Sequence, residues 1–316
     1  MMGLASYKVF PAHLGGQKAV VHFYKHLNQL LDVQMVVSSD NDASNELSVS
    51  PILFGHRRMC LNVLQLFQLK KKLQKQKIQC IVAEHSYTGW IAFLLKKFRN
   101  LPFILHSHNI EASRFQQMKK KGWRMYRYYE KWIHRKADFN FFKTSEDLEY
   151  AVHHYKLNPE KCLVIPYGVY TFRVIENARE LLRHQFDISS QFVFYFNGTL
   201  DYYPNAKALE MIIDHLHPLL QAKGMDYTFL ISGKPISTGL LKKIAAVTNI
   251  KYLGFIDDIN LLYQGADLFL NPVLNDSGVK TKVVEALSNH CTVVSFQSGA
   301  SGMPEDVCGQ KLYKVE

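Results

Sequence analysis

The sequence predicts an α/β protein of two Rossmann-like, doubly wound domains in tandem, and three observations carry that expectation. The chain has 316 residues, about twice the length of a typical domain. Short apolar runs rich in Val, Ile and Phe alternate with longer amphipathic segments, the pattern of βαβ units around a parallel sheet. The alternation gives way once, to mixed polarity over 170–190, and then resumes.

Taken in order, the first domain spans 1–169. A strand is expected over Ser6–Phe10, followed by the loop Pro11–Gly16 and a helix over Ala19–Leu31. Further strands are expected at Val33–Ser38, Ile78–Ala83, Phe103–Ser107, Phe139–Lys143 and Cys162–Pro166, with a helix over Trp123–Lys136. Residues 170–190 form the junction. The second domain, 191–316, should carry strands at Phe192–Asn197, Tyr227–Ser232, Lys251–Leu253, Leu268–Asn271, Thr292–Ser295 and Lys311–Lys314. Both ends read as abrupt, and the second domain is expected to be incomplete at its C-terminus. Two such domains should face each other across a cleft at the carboxyl ends of their sheets, where such folds bind ligands.

Composition bounds the partners. The chain is 47% hydrophobic and 21% charged, as a folded globular protein is. Its net charge of +11 favours an anionic partner such as a nucleotide, a phospholipid surface or a nucleic acid. Cys60, Cys80, Cys162, Cys291 and Cys308 lie far apart without a C-x-x-C pair, which supports neither a disulfide framework nor a zinc site. No stretch reaches the ~18 apolar residues of a membrane span, and the start lacks the features of a signal peptide. A cytoplasmic location is expected.

The most informative segment is Asn275 to Glu285, NDSGVKTKVVE. A strand leads through a turn into a helix whose first N–H groups and dipole suit a phosphate. Gly278 permits close approach of a ligand to the backbone, and helical spacing places Gly278, Thr281, Lys282 and Glu285 on one face. Lys280 or Lys282 would then meet a diphosphate, and Glu285 a ribose diol. An ordinary helix capped by Asp276 or Ser277, with solvated lysines, fits the spacing equally well.

This stretch resembles the retaining GT-B glycosyltransferases of family 4, in which an E-x7-E element occupies the same strand-turn-helix context and its second glutamate binds the donor ribose. Glu285 matches that second glutamate and Gly278 the glycine after the first. Ser277 stands where the first glutamate would be, as in the branch with a G/S-G-V-K-x-K-x-x-E motif. The departure leaves open whether Asp276, Ser277 or backbone N–H groups hold the sugar hydroxyls.

Other segments extend the resemblance in the same order. Asn197-Gly198-Thr199-Leu200-Asp201-Tyr202-Tyr203-Pro204-Asn205 is similar to the G-S-x-D-Y-x-P-N opening of the family's second domain. Ser232-Gly233-Lys234 and Gly254-Phe255-Ile256-Asp257 resemble elements flanking its base pocket. In the first half, His13-Leu14-Gly15-Gly16-Gln17 resembles the first-strand loop, and His106-Ser107-His108-Asn109-Ile110-Glu111 matches H-N-x-E. Lys143-Thr144-Ser145-Glu146 and Pro166-Tyr167-Gly168-Val169 resemble S-E and P-N-G-V, with Tyr167 in place of asparagine.

The resemblance implies transfer of a sugar from a nucleoside-diphosphate sugar, the co-substrate, to an acceptor hydroxyl, with neither metal nor cofactor. It places His108 and Glu285 in the catalytic centre. It assigns donor binding to Gly15, Gly16, Gly198, Thr199, Gly233, Lys234, Phe255, Asp276, Ser277, Gly278, Val279, Lys280, Thr281, Lys282 and Glu285. A GT-B-type epimerase or phosphorylase, or a non-catalytic nucleotide-sugar binder, would share much of this pattern.

Basic residues crowd the first half, among them Lys70, Lys71, Lys72, Lys96, Lys97, Lys119, Lys120, Lys121, Arg124 and Arg127. With Trp123, Tyr126, Tyr128, Tyr129 and Trp132 between them, the last cluster reads as an interfacial helix or a solvated face. The resemblance implies a carbohydrate or lipid-linked acceptor, which makes a peripheral contact at the inner face of the membrane attractive. No recognised nucleic-acid motif accompanies the charge.

Overall fold

Branched and aromatic side chains in short runs build the strands, because they pack well on a pleated surface covered on both faces. The structure, a computed structural model, describes residues 1–169, 172–274, 278–303 and 309–316. It divides into two units, Met1–Gly168 and Val169–Glu316.

The first unit runs β1 (Met2–Ala5), α1 (Gly15–Asn28), β2 (Gln34–Ser38), β3 (Ser48–Leu53), α2 (Leu66–Lys75), β4 (Ile81–Glu84) and α3 (Gly89–Arg99). It continues through β5 (Phe103–Ser107), α4 (Glu111–Gln117), α5 (Trp123–Lys136), β6 (Phe139–Phe142), α6 (Ser145–Tyr150) and β7 (Cys162–Val164). All pairings are parallel, in the order β3-β2-β1-β4-β5-β6-β7. Alternate strand residues face opposite sides. Met2, Leu4, Ile81, Ala83, Phe103 and Leu105 pack under Leu69 and Leu73 of α2, Ile91 and Leu95 of α3 and Ile133 of α5. On the other face Ala5, Met35, Val37 and Val82 meet Val20 and Tyr24 of α1. Each fully buried Leu or Ile contributes about 1.5–3 kcal/mol.

Two elements differ from expectation. The first strand is Met2–Ala5, not Ser6–Phe10. The latter segment leaves the sheet, and the Asn41 side-chain carbonyl accepts from the backbone N–H groups of Val9 and Phe10 at 2.6 and 2.8 Å. β3 is an additional strand that the sequence does not suggest, because its Ser-rich, half-exposed run includes Pro51. An edge strand tolerates both features.

The second unit runs α7 (Ala178–Gln185), β8 (Phe192–Asn197), α8 (Tyr203–Met211), α9 (His217–Ala222), β9 (Tyr227–Ser232) and α10 (Thr238–Ala245). Then follow β10 (Ile250–Gly254), α11 (Asn260–Gly265), β11 (Leu268–Asn271), α12 (Thr281–Ser288), β12 (Val293–Phe296) and β13 (Leu312–Val315). The sheet order is β10-β9-β8-β11-β12-β13, again parallel throughout. α7 lies within the stretch expected as a junction, and its Leu182 is buried in this unit's core beside Tyr263 and Phe269.

Both sheets grow outward from their first strand in one direction and then resume on its other side. The carboxyl ends of β1 and β4, and those of β8 and β11, therefore border topological switch points, where doubly wound folds place ligands.

Candidate functional site

Beside the switch point of the second unit, two turns pack backbone against backbone. Gly198 and Gly233 directly follow the neighbouring strands β8 and β9, and a Cβ on Gly233 would lie 1.8 Å from the Gly198 carbonyl oxygen. Gly233 also has φ +128°, a conformation reserved for glycine. Its N–H donates to Gly254 O at 2.6 Å, and its carbonyl accepts from the Tyr252 hydroxyl at 2.8 Å.

α12 supplies charge to this edge. Lys282 Nζ donates to Asn197 O at 3.2 Å and Asn205 Oδ1 at 2.9 Å, and lies 4.5 Å from the centre of the Phe196 ring. The other end of the Asn205 amide donates to Thr199 O at 3.0 Å. Lys282 thus fastens the first turn of α12 to the loop after β8 and holds a positive charge there. Glu285, one turn further on the same face, is nearly buried, and its charge raises the pKa of Tyr263 after the larger effect of burial. At the end of β10, Phe255 is 43% exposed, with Lys234 Nζ 4.6 Å from its ring centre.

The structure therefore brings together Gly198, Thr199, Gly233 and Lys282, with Thr281 opening α12 and Val279 packed on the core beneath it. Two expectations need correction. Gly278 is not on the helical face with Lys282 and Glu285: at φ +78° it turns the chain before α12 begins at Thr281. Lys280 is not solvated: its side chain folds inward, and Nζ donates to Gly278 O at 2.6 Å. Asp276 and Ser277 lie outside the described residues.

The first unit builds its switch point from side chains instead. Glu84, at the end of β4, is fully buried and bridges two histidines, with Oε1 3.0 Å from His106 Nδ1 and Oε2 2.7 Å from His108 Nε2. The His85 ring lies 4.4 Å from that of His108, and His85 Nδ1 is 3.5 Å from Glu111 Oε1. Glu111 also accepts from the Tyr87 hydroxyl at 2.6 Å and from Arg114 at 3.3 Å. Behind them Glu130 of α5 accepts from the N–H groups of Glu111 and Ala112, at 3.1 and 3.0 Å, and from the Tyr155 hydroxyl at 2.8 Å. That carboxylate anchors the loop that carries His108.

Burial dominates the titration of this cluster. It pushes His108 down to about 4 against the pull of Glu84, and His85 down to about 3. His106 is lowered in the same way. Burial opposes ionisation of Glu84, but the charge that His106 and His108 carry when protonated, together with the hydrogen bonds from both rings, pulls it well below the ordinary carboxylate range. Desolvation brings the buried Lys143, at the end of β6, down to about 8, with Glu84 opposing. It raises Glu130 to about 7.

Among the described residues, Glu84, His106 and His108 are the group whose ligand atoms lie close enough for a metal, within 4.8 Å of one another. Those same atoms already point at each other as hydrogen-bonded pairs, and the neighbouring Lys143 disfavours an added cation. Gly15 and Gly16 open α1, where Gln17 Oε1 accepts from the N–H groups of His13 and Leu14 at 2.9 and 2.8 Å.

Sequence reasoning missed Glu84, His85 and Glu130, and it gave Lys143 no role in the site. The pair Glu84-His85 at the end of an apolar run carried the same signal that singled out His106 and His108. Nothing in the sequence marked Glu130, in the middle of a basic helix.

An uncharacterized 44.6 kDa protein in the cps region of Klebsiella pneumoniae is 29% identical over 115 residues, a match covering 34% of this chain and 29% of that protein. The chain therefore spans less than a third of that relative in the match. A sucrose-phosphate synthase from Thermosynechococcus elongatus superposes with a TM-score of 0.77 at 16% identity, over 99% of this chain and 85% of that one. Anabaena HepE in complex with UDP does so with a TM-score of 0.75 at 15% identity, with the same coverage. At such identities these structures speak for the fold, which is that of the GT-B glycosyltransferases. The pattern of Glycosyl transferases group 1 matches residues 191–314. That of Glycosyltransferase Family 4 matches residues 15–173, half of the chain, so the chain is a glycosyltransferase and belongs to that family.

Proposed function

We propose that this glycosyltransferase moves a sugar from a nucleoside-diphosphate sugar to a hydroxyl of a carbohydrate or lipid-linked acceptor, with retention at the anomeric carbon, in glycan or glycolipid biosynthesis. The observation that carries the donor half is the contact of Gly198 with Gly233 beside the switch point, next to Lys282 at the tip of α12. Bare backbone beside a fixed ammonium and a helix N-terminus suits a diphosphate. The same groups would stabilise the charge that develops on the departing diphosphate, so the reading assigns no metal.

Within this reading Glu285 accepts hydrogen bonds from the ribose diol, and Phe255 with Lys234 flanks the base. Gly15 and Gly16 approach the phosphates, and His108 contacts the transferred sugar. Asp276 or Ser277 takes the place of the family's first glutamate. Retention rests on the resemblance of the Gly278–Glu285 segment to the retaining branch. UDP is the first nucleotide to test, because HepE is described in complex with it.

A peripheral contact with the inner face of a membrane belongs to the same reading. Met125 and Tyr128 of α5 are 78% and 77% exposed, amid Arg124, Arg127 and Arg135. Among the described residues, no helix is long and apolar enough to cross a membrane.

Calorimetric titration with UDP, GDP and ADP tests the pocket. For the tightest of them, Glu285→Ala and Lys282→Ala should each weaken binding about tenfold or more, the scale of one lost charged hydrogen bond. If both variants bind like the wild type, the pocket is wrong.

A further inference from the structure

Glu84 holds an ionised carboxylate at the centre of the first unit's cluster, and an ionised carboxylate only accepts hydrogen bonds. Both ring nitrogens that face it must therefore carry protons. His106 is then protonated on Nδ1 and His108 on Nε2. Burial keeps both rings neutral, and the buried Lys143 supplies the charge that balances Glu84. A neutral imidazole has one proton, so the other nitrogen of each ring is a bare acceptor. On His106 that atom is Nε2, which is buried without a hydrogen-bond partner. On His108 it is Nδ1, since the bond to Glu84 runs through Nε2, and the residue keeps 8% of its surface exposed.

We propose that Glu84 is the positioning residue of the first unit. It locks His106 and His108 in opposite tautomers, so that His108 presents the Nδ1 lone pair as an acceptor for a substrate hydroxyl. The proposal deepens the reading in which His108 contacts the sugar, and it rests on that reading for the identity of the hydroxyl. It gives His108 a definite chemical sense: it receives an O–H rather than donating an N–H, and it stays neutral while doing so. Glu84 touches no substrate and acts through the ring.

The test is long-range nitrogen–proton NMR of the histidine rings in the full chain, assigned with His106→Gln and His108→Gln. The wild type should show His108 protonated on Nε2 and His106 on Nδ1. Glu84→Gln replaces one acceptor oxygen by an amide that donates, so one of the two rings must switch tautomer. A wild-type His108 protonated on Nδ1, or two rings unchanged in Glu84→Gln, overturns the assignment. Glucose titrated into the wild type separates the two layers. A shift of the His108 Nδ1 resonance toward that of a hydrogen-bonded acceptor, absent in Glu84→Gln, supports the whole proposal. Tautomers as assigned with no response to glucose at saturation overturn the substrate contact, and the positioning role of Glu84 stands.

Discussion

The two units share one strand order yet build the two sides of its switch point from opposite materials, the second unit at the ends of β8 and β9 and the first at the ends of β4 and β5. At the ends of β8 and β9, beside the switch point of the second unit, two glycines press backbone against backbone, and a lysine from α12 ties the edge together. At the ends of β4 and β5 in the first unit, side chains take that part. Buried carboxylates and imidazoles pair with each other instead. The topology decides where a ligand site lies, and the residues placed there decide what it recognises. A backbone edge with a helix tip suits a phosphate common to many donors. A set of oriented side chains suits the hydroxyl pattern of one particular substrate.

The largest effect that would break this contrast is steric. Gly233→Ala puts a methyl group into the Gly198 carbonyl and forces a left-handed φ on alanine, which should cost about 3–5 kcal/mol of stability and abolish nucleotide binding. Denaturant unfolding followed by calorimetry checks both. Gly239→Ala in α10 is the control. A Cβ there meets nothing within 4 Å, and the helix should gain up to about 1 kcal/mol.

A smaller effect separates the first unit by its titration. His85, at about 3, and His108 and His134, each at about 4, lie below the 6.5 of an unfolded histidine. The unfolded chain therefore takes up protons that the folded one refuses. The contribution of these rings is full above pH 6.5 and is lost as pH falls toward 4. Glu84 and Glu111, both held below their ordinary range, act in the same direction. Glu130, raised from 4.5 to about 7, acts oppositely: its contribution is full below pH 4.5 and is lost as pH rises through 7. Several groups oppose one, and each tenfold change in a group's proton affinity on folding is worth about 1.4 kcal/mol. The first unit should therefore lose a few kcal/mol between pH 7 and about pH 4.5. Trp90, Trp123 and Trp132, the chain's three tryptophans, all lie in this unit, so their fluorescence reports its unfolding alone. Glu130→Gln should steepen the acid loss, and a flat profile would show that the cluster is not buried as described.

Much of the fold was legible because buried parallel strands announce themselves. Phe103–Ser107, Phe192–Asn197, Tyr227–Ser232 and Leu268–Asn271 form as the apolar runs suggest. Legibility failed where a strand carries little side chain or faces solvent. β1 is the short run Met2-Gly3-Leu4-Ala5, in which a Cβ on Gly3 would meet the ends of the Tyr24 and Met35 side chains at 2.6 Å. β3 is polar and contains a proline.

The elements that carry the candidate site were legible where local chain geometry makes them, as at the turns after β8 and β9 and the strand-turn-helix into α12. The site was illegible where the partners meet only through the sheet. Glu84 lies 22 and 24 residues from the histidines it bridges, and no spacing rule connects them. The turn of the Lys280 side chain back to the Gly278 carbonyl was likewise beyond what spacing tells.

Whether the second unit holds the donor by its backbone edge is decided by amide hydrogen exchange with and without the tightest-binding of UDP, GDP and ADP at saturation. Exchange should slow over 197–200, 232–235 and 278–286, with Glu84 to Ser86 unchanged. Slowed exchange confined to residues 1–168, with those three segments unaffected, would place the donor in the first unit and overturn the assignment.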